Sequence, residues 1–122
     1  MFEGGVRVNK DKMYICVIDE FPDYMTPTLV AHATLRHHLL SSNGSTNDFY
    51  RYNAWLEDSF KKCVVGVNRK EFDKIRKLPN VVESWENNTL NGEVSCLTLI
   101  SDGKEYNVLK FAKLWKPLES VK

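Results

Sequence analysis

The sequence predicts a single α/β domain, a mixed sheet of four to five strands flanked by helices. Three observations carry that expectation. The stretches "KMYICVI" and "KKCVVGV" are apolar at consecutive positions, as strands covered on both faces are. A helix-start signal follows each of them, at "TPTL" and at "NRKE". With 122 residues, 43% hydrophobic and 27% charged, the chain fits one globular domain able to bury a core. Strands alternating with helical segments imply that the sheet is partly parallel.

Residues 1–11, beginning "MFEGGVRVNK", lack the apolar centre of a signal peptide and read as a flexible lead. The domain is expected over 12–118. In the first strand Met13, Ile15 and Val17 face one way and Tyr14, Cys16 and Ile18 the other. Pro22, in "DEFPDYM", breaks any continuation. Thr26 is then the expected N-cap of the first helix and Pro27 its first helical residue. Leu29, Ala33 and Leu40 make one stripe, while Val30, Ala31, Leu35 and Leu39 spread around the cylinder, so this helix is expected to be pressed on more than one side.

The turn-formers of "SSNGSTN" end it, and "DFYRYNAWLEDSF" is a candidate second helix. "KKCVVGV" is the next strand. In "NRKEFDKIRKL" Asn68 caps a short helix, Glu71 completes a capping box, and Phe72 and Ile75 point inward. "NVVESW" and "EVSCLTLI" read as strands around the polar loop "ENNTLNG". The tail "SDGKEYNVLKFAKLW" leaves two alternatives: a hairpin at Asp102-Gly103, or a short helix leading into a final strand near "AKLW".

A formal net charge of +1 gives no basic footprint for nucleic acid, and no apolar run approaches the ~18 residues of a membrane span. Cys16, Cys63 and Cys96 are odd in number, share no CxxC spacing and lie in strand-like runs, which reads as buried thiols in a cytoplasmic protein. Ten asparagines, with lysine over arginine by twelve to five, suit an AT-rich coding genome such as that of a low-GC bacterium or a phage. His32, His37 and His38 stand at offsets that do not share a helix face, so no metal site is expected. His37 and His38 are expected at the surface or an interface, and His32 in packing. No glycine pattern cradles a phosphate at a helix start, so no cofactor is called for. Asp19 and Glu20 read as solvated loop charges, and the Tyr50, Arg51, Tyr52 and Trp55 cluster as a helix packed on the core rather than a base-stacking surface.

Strand "MYICVID", a Pro-containing loop and a helix carrying "VAHA" resemble the opening of the type 2 peptidyl-tRNA hydrolase family. "KKCVVGVNRKEFDKI" resembles that family's second strand and helix, and "NNTLNGEVSCLTLI" its later loop and strand pair, so the likeness spans roughly residues 12–116. It implies a four-stranded mixed sheet flanked by helices, a homodimer, and cleavage of the ester between peptide and tRNA. The family's chemistry needs a lysine before the first helix, a glutamine in it, and an acid–Ala–Gly–x–Thr loop. Here Met25 stands where the lysine is needed and Leu29 where the glutamine is. Thr89 matches the threonine, but Trp85 occupies the acid's place, with Glu86 one residue out of register. A related family of unknown function on the same fold has a Leu-Pro step after the first strand and a helix histidine, which Phe21-Pro22 and His32 resemble as well.

The expectation is therefore a catalytically degenerate relative of these hydrolases that binds an anionic or nucleotide-like small molecule. Its ligand would lie at the start of the first helix, with Thr26, Thr28 and His32 facing Glu86, Asn87, Asn88 and Thr89 of the polar loop. Two alternatives stay open. One is an active divergent hydrolase using Glu86, Thr89 and His32 on peptidyl-tRNA. The other is a phage or bacterial accessory protein that binds a host protein or sequesters a signalling nucleotide.

Overall fold

The structure, a computed structural model, describes residues 8–86 and 90–117, Leu90 by its backbone alone. Five strands form one mixed sheet: β1 (Lys12–Ile18), β2 (Lys61–Val67), β3 (Val82–Trp85), β4 (Val94–Ser101) and β5 (Lys113–Leu114), in the spatial order β3-β4-β1-β2-β5. β1 and β2 are parallel, and every other neighbouring pair is antiparallel. The helices are α1 (Thr26–Ser42), α2 (Phe49–Ala54), α3 (Arg69–Arg76) and α4 (Asn107–Lys110). α2 runs directly into one π-helical turn, Trp55–Ser59.

β1 occupies the middle of the sheet, and its alternating side chains feed two cores. Met13, Ile15 and Val17 pack with Leu29 and Ala33 of α1 and with Tyr52 and Trp55. Tyr14, Cys16 and Ile18 pack with Phe72 and Ile75 of α3 and Leu109 of α4. Two-sided burial is what the unbroken apolar run encodes, at about 1.5–3 kcal/mol for each large side chain removed from water. The Asn68 capping box on α3 is present in full: Glu71 N–H donates to Asn68 Oδ1 at 2.8 Å and Asn68 N–H to Glu71 Oε1 at 2.9 Å. The tail takes the second of its two alternatives, a four-residue helix followed by β5, which pairs with Val65 and Gly66.

Four local expectations are corrected. Thr26 is not the N-cap of α1. Pro22 starts a 3-10 turn over Asp23–Met25 whose Met25 N–H bonds to Pro22 O at 3.0 Å, so the chain is already helical before Thr26, which is buried. The stripe that α1 buries is Thr26, Leu29, Ala33, His37 and Ser41, so His37 lies fully inside and not at the surface. His32 is exposed rather than packed, and Leu35 and Leu39 stay more than half exposed, so only one side of α1 is pressed among the described residues.

Among the described residues no helix is long and apolar enough to cross a membrane.

Candidate functional site

β3 is an edge strand, bonded to β4 and to no other strand among the described residues. α1 packs across one face of the sheet, over β1, β4 and β3, and one row of α1, at residues 32, 36 and 40, steps along β3 in the opposite chain direction. His32 Nδ1 stands 3.3 Å from Glu86 Oε2, an ion pair when the imidazole is protonated. One turn on, Arg36 donates from Nε to Glu83 O at 3.0 Å and lays its guanidinium 4.3 Å from the centroid of the Trp85 ring. A further turn on, Leu40 lines a cleft of about 410 Å³ with Ser45, Thr46 and Asn47 after α1, and with Asn80 to Glu83 and Trp85 along β3.

The charges in this cleft are unevenly matched. The Glu83 carboxylate faces the other side of the sheet, where Arg76 holds it at 3.1 and 3.3 Å. Arg51 is bound by Asp11 and Glu105, which push its pKa above the ordinary value, and Arg69 by Glu20. Among the described arginines Arg36 alone has no carboxylate partner. Its fixed hydrogen bond to a backbone carbonyl and its stacking on Trp85 pre-orient a planar, permanently charged fork. Stacking of this kind contributes about 0.5–1 kcal/mol at a partly exposed site and leaves the in-plane N–H groups available.

Beneath the cleft wall lies a buried polar group of different character. His37 Nδ1 shares a 2.8 Å hydrogen bond with Thr98 Oγ1 of β4, its Nε2 is 3.7 Å from Asp48 Oδ2, and its ring stacks on Tyr52 with centroids 5.2 Å apart. Burial pushes the Asp48 carboxyl up, but His37 and Thr46 outweigh it and hold the group below the usual carboxylate range. Hydroxyl, imidazole and carboxylate in series resemble a nucleophile with its base and orienter. Thr98 and His37 are fully buried, however, so no substrate reaches them, and the group fixes the segment before α2 to α1.

The residues expected from sequence fall into three sets. His32 and Glu86 are brought together. Thr28 is exposed, beside His32 on α1, whereas the Thr26 side chain is buried. Asn87, Asn88 and Thr89 lie outside the described residues. Leu29, at the position where the resemblance requires glutamine, is buried in the core with Met13 and Val17, and Met25 packs against the same cluster. Glu20 is tied to Arg69 by hydrogen bonds of 2.6 and 3.0 Å. The cysteines are unsuited to act as nucleophiles: burial pushes the Cys96 thiol up to about 12 and Cys16 well above its ordinary value. No group of three or more metal-ligating side chains occurs among the described residues.

Arg36 and Trp85 were missed as a pair because nothing local joins residues that far apart in sequence. The available signal was the helical spacing that sets Arg36 one turn beyond His32, while Trp85 and Glu86 are adjacent. No protein-family model matches the chain, and no curated protein matches it either.

Proposed function

We propose that the protein binds an anionic ligand in the cleft between α1 and β3, with a nucleotide-like small molecule as the first class to test, and that it performs no hydrolysis. The observation that carries this reading is Arg36, stacked on Trp85 and without a carboxylate partner among the described residues. A guanidinium so placed takes a phosphate or carboxylate in a bidentate pair. Ser45, Thr46, Asn47 and Asn80 add uncharged hydrogen-bonding groups around it. The likeness to type 2 peptidyl-tRNA hydrolases supports a degenerate relative, because Leu29 serves the core where that chemistry needs a polar side chain. Arg36 and Leu40 stand about three and four helical turns beyond the start of α1 that the sequence favoured.

Titration with adenosine, guanosine and uridine monophosphates and with inorganic phosphate, followed by tryptophan fluorescence and calorimetry, tests the reading. Saturable binding that weakens by on the order of tenfold or more in Arg36→Gln supports it. Binding unchanged in that variant, or cleavage of peptidyl-tRNA by the wild-type protein, overturns it.

A further inference from the structure

We infer that the protein pairs with a second copy of itself through the outward face of α1, as two antiparallel helices with Leu35 and Leu39 of each copy seated on the other. This goes beyond the anion reading and does not depend on it, because Leu35 and Leu39 do not line the cleft beside β3.

The composition of α1 sets it apart from an ordinary surface helix. Among its 17 residues Arg36 is the single permanent charge, and that guanidinium is turned to Glu83 O and Trp85 on β3. A helix with one solvated face normally carries its charges there. Here Pro27, Ala31, Leu35 and Leu39, spaced four apart on one face, are all exposed and all apolar. Leu35 and Leu39 keep 58% and 56% of their surface in water. The row is also shaped. His32, Leu35, Arg36 and Leu39 surround a hollow of about 210 Å³, and one turn earlier Thr28, Ala31, His32 and Leu35 surround another. Each set follows the spacing i, i+3, i+4, i+7, the four-residue hole that receives a side chain from a facing helix.

The occupant is identified by what fills both hollows at once. They lie one turn apart, and so do Leu35 and Leu39, the exposed large apolar side chains of α1. Facing positions of an antiparallel pair keep a constant sum. The second copy's Leu35 in the later hollow therefore brings its Leu39 to the earlier one, and the two-fold axis repeats both contacts. A parallel pair would offer Ala31 to the earlier hollow, and Ala31 is too small to fill it. No acidic or basic side chain lies on the row, so like charges do not oppose each other, and the two-fold sends the two Arg36 side chains to opposite flanks of the seam. Two helices of 17 residues, each about 25 Å long and 10–12 Å across, bury on the order of 1,000 Å² together, the lower bound of a specific interface. The pairing is accordingly reversible, in the micromolar range or weaker.

Sedimentation velocity of the full chain, from about 5 μM to about 0.5 mM, reads the pairing. Wild type should shift from monomer toward dimer over this range, and Leu35→Asp and Leu39→Asp should each weaken the association by on the order of tenfold or more. Both side chains stand more than half exposed, so the variants keep the fold, which an unchanged urea midpoint in dilute protein checks. Oxidative cross-linking reads the register. Leu35→Cys should form an intermolecular disulfide at the two-fold axis, beyond the level seen in wild type, whereas Thr28→Cys, about 20 Å from its counterpart, should not. Wild type that stays monomeric at the highest concentration, or a dimer undiminished by both Asp variants, overturns the α1 seam. Cross-linking of Thr28→Cys as readily as Leu35→Cys overturns the antiparallel register. Phosphate or nucleotide binding that needs Arg36, in a chain that stays monomeric, leaves the cleft standing and the pairing fallen, so the two readings fail separately.

Discussion

His37 Nδ1 and Thr98 Oγ1 meet at 2.8 Å between α1 and β4, and both side chains are shut off from solvent. Thr98→Val keeps the shape and removes the partner, leaving an imidazole nitrogen unsatisfied at a cost of about 1–3 kcal/mol. Urea unfolding of the variant should show that loss with an unchanged denaturant slope. Ligand affinity at Arg36 should not move, which separates this structural group from the cleft.

Asp48 makes stability pH-dependent in a definite direction. Burial raises its pKa, but His37 and Thr46 lower it further, so the folded-state value lies below the unfolded one. A depressed carboxyl contributes stability that is present above the unfolded pKa, about 3.9, and disappears as pH falls through the folded value. The difference in urea midpoint between wild type and Asp48→Asn should therefore be constant near neutrality and shrink on acidification below about pH 4. A gap that widens with acid would mean that burial dominates at this carboxyl.

Gly103 and Gly44 both hold positive φ, at 82° and 77°, but in different surroundings. A Cβ at Gly103 would collide with the Tyr14 hydroxyl, whereas one at Gly44 would meet nothing within 4 Å. Gly44→Ala should cost about 1 kcal/mol, the backbone penalty alone. Gly103→Ala adds displacement of a core tyrosine and should cost about 3 kcal/mol or more. Comparing the two melting temperatures checks the contrast.

Asn68→Ala removes one half of the capping box on α3 and should destabilise the protein by about 1 kcal/mol. The matching readout is faster amide exchange at Glu71, whose N–H loses its acceptor.

Some of this structure was legible in the sequence. Doubly apolar runs announced β1 and β2, and the Asn68 and Glu71 spacing announced α3, because each signal is local and has one dominant cause. The start of α1 misled because Pro22 and a 3-10 turn compete with the cap that Thr26 offers. His37 misled because a histidine enters a core once it has a partner such as Thr98, and that partner sits in another strand. The Arg36–Trp85 contact has the same character: sequence places each residue on its element, but only the sheet order puts β3 at the edge beside α1.

The most direct measurement is the affinity of wild-type protein and Arg36→Gln for adenosine, guanosine and uridine monophosphates and for inorganic phosphate, read by calorimetry at one pH and salt concentration. An anion-binding cleft requires that at least one of these probes bind the wild type and weaken by on the order of tenfold or more in the variant. Equal affinity in the two proteins, or no binding by any of the probes at millimolar concentration, would contradict it.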